Sequence, residues 1–221
     1  MLIFINIYKR CEEFCFFDII KSSINEKYYF VRRGRIIIIK NKLESIRKIK
    51  ELDLNRFPEE MFKKGEEDKI QQFIKRYPAK YYAIRDKEKA SGVFKLKVDR
   101  DKVIEEIKDY NLFTINVSSA NYVENQLLVG EIQILRNSEV YATLSVDGEA
   151  SVRDALKNPS FNIKTTIFDD KTLNKIPHFN FIYSYIVEHD LQDFIVEFSL
   201  FDKEVGRKKE QVVVYELRTH Y

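Results

Sequence analysis

The segment from Asp193 to Arg218 reads DFIVEFSLFDKEVGRKKEQVVVYELR. Two runs rich in Val, Phe and Ile flank a charged loop that contains Gly206, a pattern typical of an antiparallel hairpin with arms Asp193–Phe201 and Glu210–Arg218. Apolar and polar side chains alternate along a strand when one of its faces is buried. We therefore predict that the two arms are antiparallel neighbours.

Charged residues interrupt both arms of this hairpin: Glu197 in the first, Glu216 and Arg218 in the second. A loop centred near Val205–Arg207 allows a register that places Glu197 opposite Glu216, with their Cβ atoms about 5 Å apart. Two carboxylates at that distance repel by about 3 kcal/mol at an effective dielectric of about 20, so they need Arg218, a metal ion or a raised pKa. Oxygen ligands on strands suit magnesium. The alternative is that both glutamates are solvated edge residues and Arg218 is a surface partner of one of them.

The rest of the chain alternates between helical and strand patterns on either side of that hairpin. Helical spacing of apolar residues occurs in six stretches: Glu12–Ser22, 41–52, 59–77, 99–111, Glu149–Leu156 and Phe179–His189. Strand patterns occur in eight more: Leu2–Ile7, Lys27–Arg32, Arg35–Lys40, Lys80–Arg85, Val93–Val98, Leu112–Val117, Gln126–Leu135 and Glu139–Val146. We predict an α+β fold of mixed, largely antiparallel sheets with packed helices, in which residues 1–40 form an N-terminal strand-helix-hairpin extension and residues 41–221 form the main body.

Composition excludes several classes of protein. Of the 221 residues, 44% are hydrophobic, which is enough to bury a core, and the formal charge of +3 is low for a dedicated binder of nucleic-acid backbone. The composition therefore does not indicate that the protein binds nucleic acid, and it does not exclude such binding. Cys11 and Cys15 lack further metal ligands, so we expect reduced, buried thiols and a cytoplasmic protein. No apolar run reaches the 18 to 20 or so residues that span a bilayer.

Two segments of the hairpin carry a family resemblance. DFIVEF from Asp193 and VVYELRT ending at Thr219 resemble the closing hairpin of ATP-grasp nucleotide-binding domains, those of phosphoenolpyruvate synthase and pyruvate phosphate dikinase above all. The resemblance implies an ATP-grasp-like fold, with Glu197 and Glu216 as metal ligands and Arg218 in contact with phosphate.

Other positions extend the resemblance towards the N-terminus. Ala83-Ile84-Arg85-Asp86 is similar to the family strand that ends in a phosphate-contacting arginine, and Ala90-Ser91-Gly92 stands where the family has a phosphate loop. Lys40 or Lys42, at the start of a helix, is similar to the family lysine that reaches the phosphates. Its usual glycine neighbours are absent, and the chain has neither a Walker A pattern nor a dinucleotide fingerprint.

The resemblance implies a magnesium-dependent ATP-binding protein, either a phosphotransferase or a carboxylate-activating ligase with an unidentified acceptor. The alternative is a non-enzymatic binding or assembly module for RNA or a protein partner, in which charged hairpins form the contact surface. The two hypotheses differ in one geometric respect. An enzyme needs Arg85, Glu197, Glu216 and Arg218 around one cleft, whereas a binding module presents them on an exposed face.

Overall fold

The computed structural model describes the backbone of Phe17–Lys21 and Tyr28–Arg32, together with residues 39, 42–87 and 94–219. The chain divides into two compact units, Met1–Ile38 and Ile39–Tyr221. In the first unit, strands β1 (Phe17–Lys21) and β2 (Tyr28–Arg32) pair antiparallel. Several predictions lie outside the described residues: strand Leu2–Ile7, Cys11, Cys15, the 90–92 loop, Lys40 and, apart from Ile39, the arm Arg35–Lys40. The predicted helix over Glu12–Ser22 is wrong at Phe17–Lys21, where a short apolar run suits either structure and the chain forms β1.

The second unit contains two antiparallel sheets. Its strands are β3 (Glu59–Lys63), β4 (Tyr81–Asp86), β5 (Phe94–Asp99), β6 (Leu112–Val117), β7 (Gln126–Ile134), β8 (Glu139–Ser145), β9 (Phe161–Thr166), β10 (Ile195–Val205) and β11 (Glu210–Arg218). The four-stranded sheet has the order β3-β6-β4-β5, and the five-stranded sheet has the order β11-β10-β7-β8-β9. Every pairing within both sheets is antiparallel. The predicted α+β class with largely antiparallel sheets is therefore confirmed.

Six α-helices pack on these sheets within the described residues: α1 (Lys42–Glu51), α2 (Glu67–Arg76), α3 (Val103–Glu106), α4 (Val152–Lys157), α5 (Asp170–Leu173) and α6 (Phe179–Glu188). Helix α2 buries Ile70, Phe73 and Ile74, whose spacing places them on one helical face. The predicted helix over 59–77 is correct for α2 but wrong at Glu59–Lys63, which forms β3 because it pairs with β6 and buries Phe62 there. The sequence patterns also missed β9 and α5.

Two hydrophobic cores support the two sheets. One lies between the five-stranded sheet and helices α1 and α6, with Ile49, Ile186 and Val196 among its buried residues. The other lies under the four-stranded sheet with α2 and α3, and it also takes up Phe201 and Val213 from β10 and β11. The β10–β11 hairpin thus contributes apolar side chains to both cores, which fixes the two sheets against each other.

A β-bulge changes which side chains of β11 share a face. Glu197 pairs with Glu216, but the next residue along, Phe198, pairs with Val214, so Tyr215 is an extra residue in the ladder. If side chains alternated regularly along β11, Glu216 would share a face of the strand with Val214, and Tyr215 would lie on the other face. That expectation is wrong, because Tyr215 and Glu216 both line the space between the sheets while Val214 lies in the core behind the five-stranded sheet.

Candidate functional site

A cleft of about 700 Å³ lies between the two sheets of the second unit. The five-stranded sheet supplies Glu197 from β10 and Glu216 from β11, and the four-stranded sheet supplies Arg85 from β4. Helix α1 contributes Lys42 at its first residue. Four of the five side chains selected from the sequence therefore meet around one cavity, whose volume is typical of small-molecule sites.

The predicted pairing of Glu197 with Glu216 is confirmed, because the two residues are direct partners across β10 and β11. Their side chains are 19% and 20% exposed, respectively. Each carboxylate forms an ion pair with a basic side chain: Glu197 lies 3.0 Å from Arg218, and Glu216 lies 3.2 Å from Lys42. The alternative holds in part, because β11 is an edge strand and Arg218 pairs with Glu197. It is wrong about solvation, since both carboxylate side chains are mostly buried, and about Glu197, which lies on the interior strand β10.

A third carboxylate, which the sequence patterns did not identify, extends this pair. Glu131 on β7 is the partner of Glu197 on the other side of β10, so Glu131, Glu197 and Glu216 form a row across three neighbouring strands. Arg218 also bonds Glu131, and it thereby bridges two members of the row. Arg218 itself does not line the cleft; it lies two residues beyond Glu216, at the end of β11. Its place as a phosphate contact stays a prediction.

The carboxylate row carries more negative charge than its neighbours neutralise. Burial raises the pKa of Glu197, and the adjacent charge of Glu216 raises it further, against the opposing effect of Arg218. Hard carboxylate oxygens from Glu197 and Glu216, side by side at one wall of the cleft, are the donors that magnesium prefers. The pair therefore fits a divalent cation chemically. Among the described residues, no group of three or more His, Cys, Asp or Glu side chains is arranged as a complete metal site, so a bound ion would need oxygens from its ligand or from water.

The opposite wall of the cleft is strongly basic. Lys87 follows Arg85 by two residues and faces the same cavity, together with Arg56 from the segment before β3. Burial lowers the pKa of Lys87, and the positive charges of Arg85 and Lys42 act in the same direction although Glu59 opposes them. Within the part of the chain that the structure describes, neither Arg85 nor Lys87 has an ion pair; Arg85 lies over the ring of Phe94, 4.8 Å from its centroid. This crowding of cations is what an anionic ligand would relieve.

Helix α4 adds two more cations at the rim. Arg153 and Lys157 are four residues apart, so they lie on one face of the helix and both line the cleft. The loop before α4 is held by Gln126, whose amide nitrogen donates to the carbonyls of Gly148 and Ala150 at 3.0 and 2.9 Å. Ser151 then begins the helix with a capping box. Sequence reasoning missed these cations, although their spacing was a visible signal.

An apolar strip also lines the cavity. It consists of Leu96, Val129 and Leu156, together with Phe57. Tyr215 lies at its floor, where its hydroxyl is 3.1 Å from Ser199 Oγ, which in turn donates to Gln126 at 3.0 Å. Burial raises the pKa of Tyr215 to about 12, so the phenol stays protonated near neutral pH. The cleft therefore has separate surfaces for an apolar ring, for an anion and for a cation.

Comparison with known proteins identifies a structural relative and no sequence relative. No protein-family model matches the chain, and no curated protein matches its sequence. The structure is similar to D-alanyl-alanine synthetase A from Vibrio cholerae O1 biovar eltor, with 13% sequence identity and a TM-score of 0.39. The matched region covers 81% of this chain and 55% of that chain, so this protein spans about half the length of its structural relative.

No helix within the described residues combines the length and the apolar character that crossing a membrane demands.

Proposed function

We propose that the cleft between the two sheets binds ATP together with magnesium, and that the protein uses it as a phosphotransferase or as a carboxylate-activating ligase. The observation that carries this proposal is the convergence of Lys42, Arg85, Glu197 and Glu216 on one cavity. A triphosphate with its metal needs cations and carboxylates held together in a fixed arrangement, with little covalent chemistry from the protein. The resemblance of the hairpin to ATP-grasp domains supports the choice of ATP among anionic ligands.

Each wall of the cleft has a role in this proposal. Arg85, Lys87 and Lys42 would meet the phosphate oxygens, because they supply positive charge that is incompletely paired in the protein alone. Glu197 and Glu216 would hold magnesium, which supplies charge neutralisation at the phosphates when it is bound. The apolar strip around Leu96 and Val129 would receive the base, and Arg153 and Lys157 at the rim are available to a second, anionic substrate.

Calorimetric titration of ATP, with and without magnesium, tests the binding step. We expect saturable binding in the wild type that depends on magnesium, and a loss of at least tenfold in affinity in Arg85→Ala, because a charge-assisted contact to phosphate is worth about 1.5 to 3 kcal/mol. Arg85 suits this test better than Arg218, since removing Arg218 leaves Glu131 and Glu197 without their shared cation. Arg207→Ala is the matched control, because Arg207 is exposed and lies outside the lining of the cleft.

Release of ADP, measured in the presence of candidate carboxylate or phosphate acceptors, tests the catalytic step separately. Binding without turnover would identify a nucleotide-binding module that is not an enzyme. If the wild type binds no ATP at millimolar concentration with magnesium present, the nucleotide proposal is wrong and the binding or assembly module takes its place.

A further inference from the structure

Three lysines line the cleft within the described residues, and their surroundings differ. Lys42 forms an ion pair with Glu216 at 3.2 Å. Lys157 is exposed on helix α4 at the rim. Lys87 is half-buried and has no ion pair in the part of the chain that the structure describes. It is therefore the lysine whose amine is both sheltered from water and free of a carboxylate partner among these residues.

The backbone holds Lys87 beside the guanidinium group of the basic wall. Its N–H donates to the carbonyl of Leu112 at 2.9 Å, so the pairing of β4 with β6 continues one residue past Asp86. Residues two apart along a strand share a face and lie about 7 Å from each other. Lys87 and Arg85 are related in this way, and both line the cleft. The two side chains are therefore neighbours on one surface.

The acidic side chain of this wall is already paired with another residue. Glu59 acts to raise the pKa of Lys87, but its carboxylate lies 3.1 Å from Arg56. Burial is the largest cause of the lowered pKa of Lys87, and the positive charges of Arg85, Lys42 and Arg56 act in the same direction. At a given pH the neutral amine is thus more populated at Lys87 than at an exposed lysine, and a neutral amine is a nucleophile.

The same surroundings favour a negative charge on this side chain. A neutral lysine amine reacts with carbon dioxide: the lone pair of Nζ forms a bond to the carbon, one C=O electron pair moves to oxygen, and one proton leaves to solvent. The step needs no oxidant, reductant or cofactor. It converts a crowded cation into a carbamate anion with two acceptor oxygens. A guanidinium group binds such a pair of oxygens through two parallel N–H donors.

We propose that Lys87 is a carbamylation site, at which dissolved carbon dioxide forms an anionic carbamate that Arg85 binds within the cleft. The carbamate uses the positive charge that the phosphates of ATP need, so carbon dioxide and ATP compete for the same cations. This competition, unlike the carbamate itself, rests on the proposed nucleotide function.

Carbon NMR of the full-length protein in isotope-labelled bicarbonate, at constant pH and without nucleotide, tests the modification. We expect a carbamate resonance that saturates as carbon dioxide is raised and that is absent from Lys87→Arg, because a guanidinium group stays protonated. Lys175→Arg is the matched control, since it makes the same exchange at an exposed lysine outside the lining of the cleft and should keep the resonance. Arg85→Ala should need about tenfold more carbon dioxide for half-saturation, because a charge-assisted contact is lost.

Chemical trapping locates the carbamate in the wild type and so does not depend on the folding of a variant. A trialkyloxonium salt converts a carbamate into a stable ester, and mass spectrometry of peptides identifies the residue that carries it. An ester at Lys87 supports the proposal. Absence of the ester from Lys87, or a resonance of equal strength in Lys87→Arg, would overturn it.

The same trapping reaction with magnesium and ATP present tests the competition. We expect saturating ATP to remove the ester from Lys87, and an ester that persists in protein saturated with ATP would overturn the competition. Protein that binds no ATP should still form the carbamate, so failure of the nucleotide proposal is distinguishable from failure of the carbamylation site.

Discussion

At the scale of single residues, the candidate site depends on carboxylates placed inside a sheet. Glu197 and Glu216 could be selected from the sequence because each interrupts an otherwise apolar strand. Glu131 carries the same signal within QLLVGEIQI, but its relevance depends on β7 being the neighbour of β10, and strand order is not encoded in any local pattern. Polar residues within one strand are therefore predictable, whereas their partners on distant strands are not.

Burial of Glu197 should make the protein less stable at neutral pH than it would be without that charge. Its pKa is raised in the folded protein above the ordinary value of 4.5 by burial and by Glu216. Between the pKa of Glu197 in the unfolded state and its higher pKa in the folded state, the folded protein binds more protons than the unfolded protein. The contribution of Glu197 to the free energy of unfolding therefore falls as the pH rises through that interval. Glu197→Gln removes the contribution.

We therefore expect Glu197→Gln to gain about 1 kcal/mol over the wild type at pH 7.5, as the repulsion from Glu216 outweighs the lost ion pair with Arg218. The gain should shrink towards pH 4. Urea denaturation at both pH values measures it, with Glu124→Gln as the exposed control. Magnesium-dependent ATP binding should be lost in the same variant. A variant that is less stable than the wild type at pH 7.5 would show that the ion pair with Arg218 is the stronger effect.

At the scale of elements, periodicity found strands and helices where one face is buried and failed where it is not. Strand β9 is an edge strand in which half-buried and exposed side chains alternate. Only two of its six residues, Phe161 and Ile163, are apolar, so the alternation is too short to stand out in the sequence. Strand β3 buries only Phe62, and that residue also fits the helical spacing that continues into α2. The bulge at Tyr215 leaves no signal in VVVYELR, because a change of face is produced by pairing and not by composition.

The β10–β11 hairpin is tied to the segment between α1 and β3 through Asn55, whose amide is fully buried. Its nitrogen donates to the carbonyls of Val205 and Val212, each at 2.9 Å, and its oxygen accepts from the backbone N–H of Lys208, also at 2.9 Å. Gly206 passes beside this amide with φ of +77°, and a Cβ atom there would lie 2.5 Å from Asn55 Oδ1. The hairpin end therefore requires glycine for two reasons, its backbone conformation and the space that Asn55 occupies.

Gly206→Ala should be more destabilising than Gly65→Ala, and the difference isolates the contact with Asn55. Gly65 has a similar φ of +87°, but a Cβ atom added there would meet no described atom within 4 Å, so alanine at this position costs only the backbone strain, about 1 kcal/mol. We expect Gly206→Ala to lower the free energy of unfolding by about 2 to 3 kcal/mol, as measured by urea denaturation. Equal losses at both positions would mean that Asn55 moves aside without cost.

At the scale of the whole molecule, the cleft exists because two sheets distant in sequence face each other across it. The resemblance to ATP-grasp domains rested mainly on one hairpin, yet Arg85 and Lys42 came from segments more than 100 residues away in the chain and lie at the same cavity as Glu197. Sequence reasoning could name the residue types that a nucleotide needs. It could not establish that they converge, because convergence depends on how the β10–β11 hairpin divides its apolar side chains between the two cores.

A ligand that bridges the cleft should therefore slow hydrogen exchange in both sheets at once. With magnesium and ATP at about 100 times the dissociation constant, the ligand stabilises the bound state by about 2.7 kcal/mol, which corresponds to exchange slowed by up to about 100-fold wherever opening requires release of the ligand. We expect this protection in β4, which carries Arg85, and in the β10–β11 hairpin, which carries Glu197 and Glu216. Strand β9 is the internal control, because none of its residues lines the cleft. Under the same concentrations of magnesium and ATP, a tenfold loss of affinity in Arg85→Ala should reduce the protection of both sheets about tenfold. Protection confined to the β10–β11 hairpin would mean that the ligand contacts one sheet only, and the four-stranded sheet would then have no part in the site.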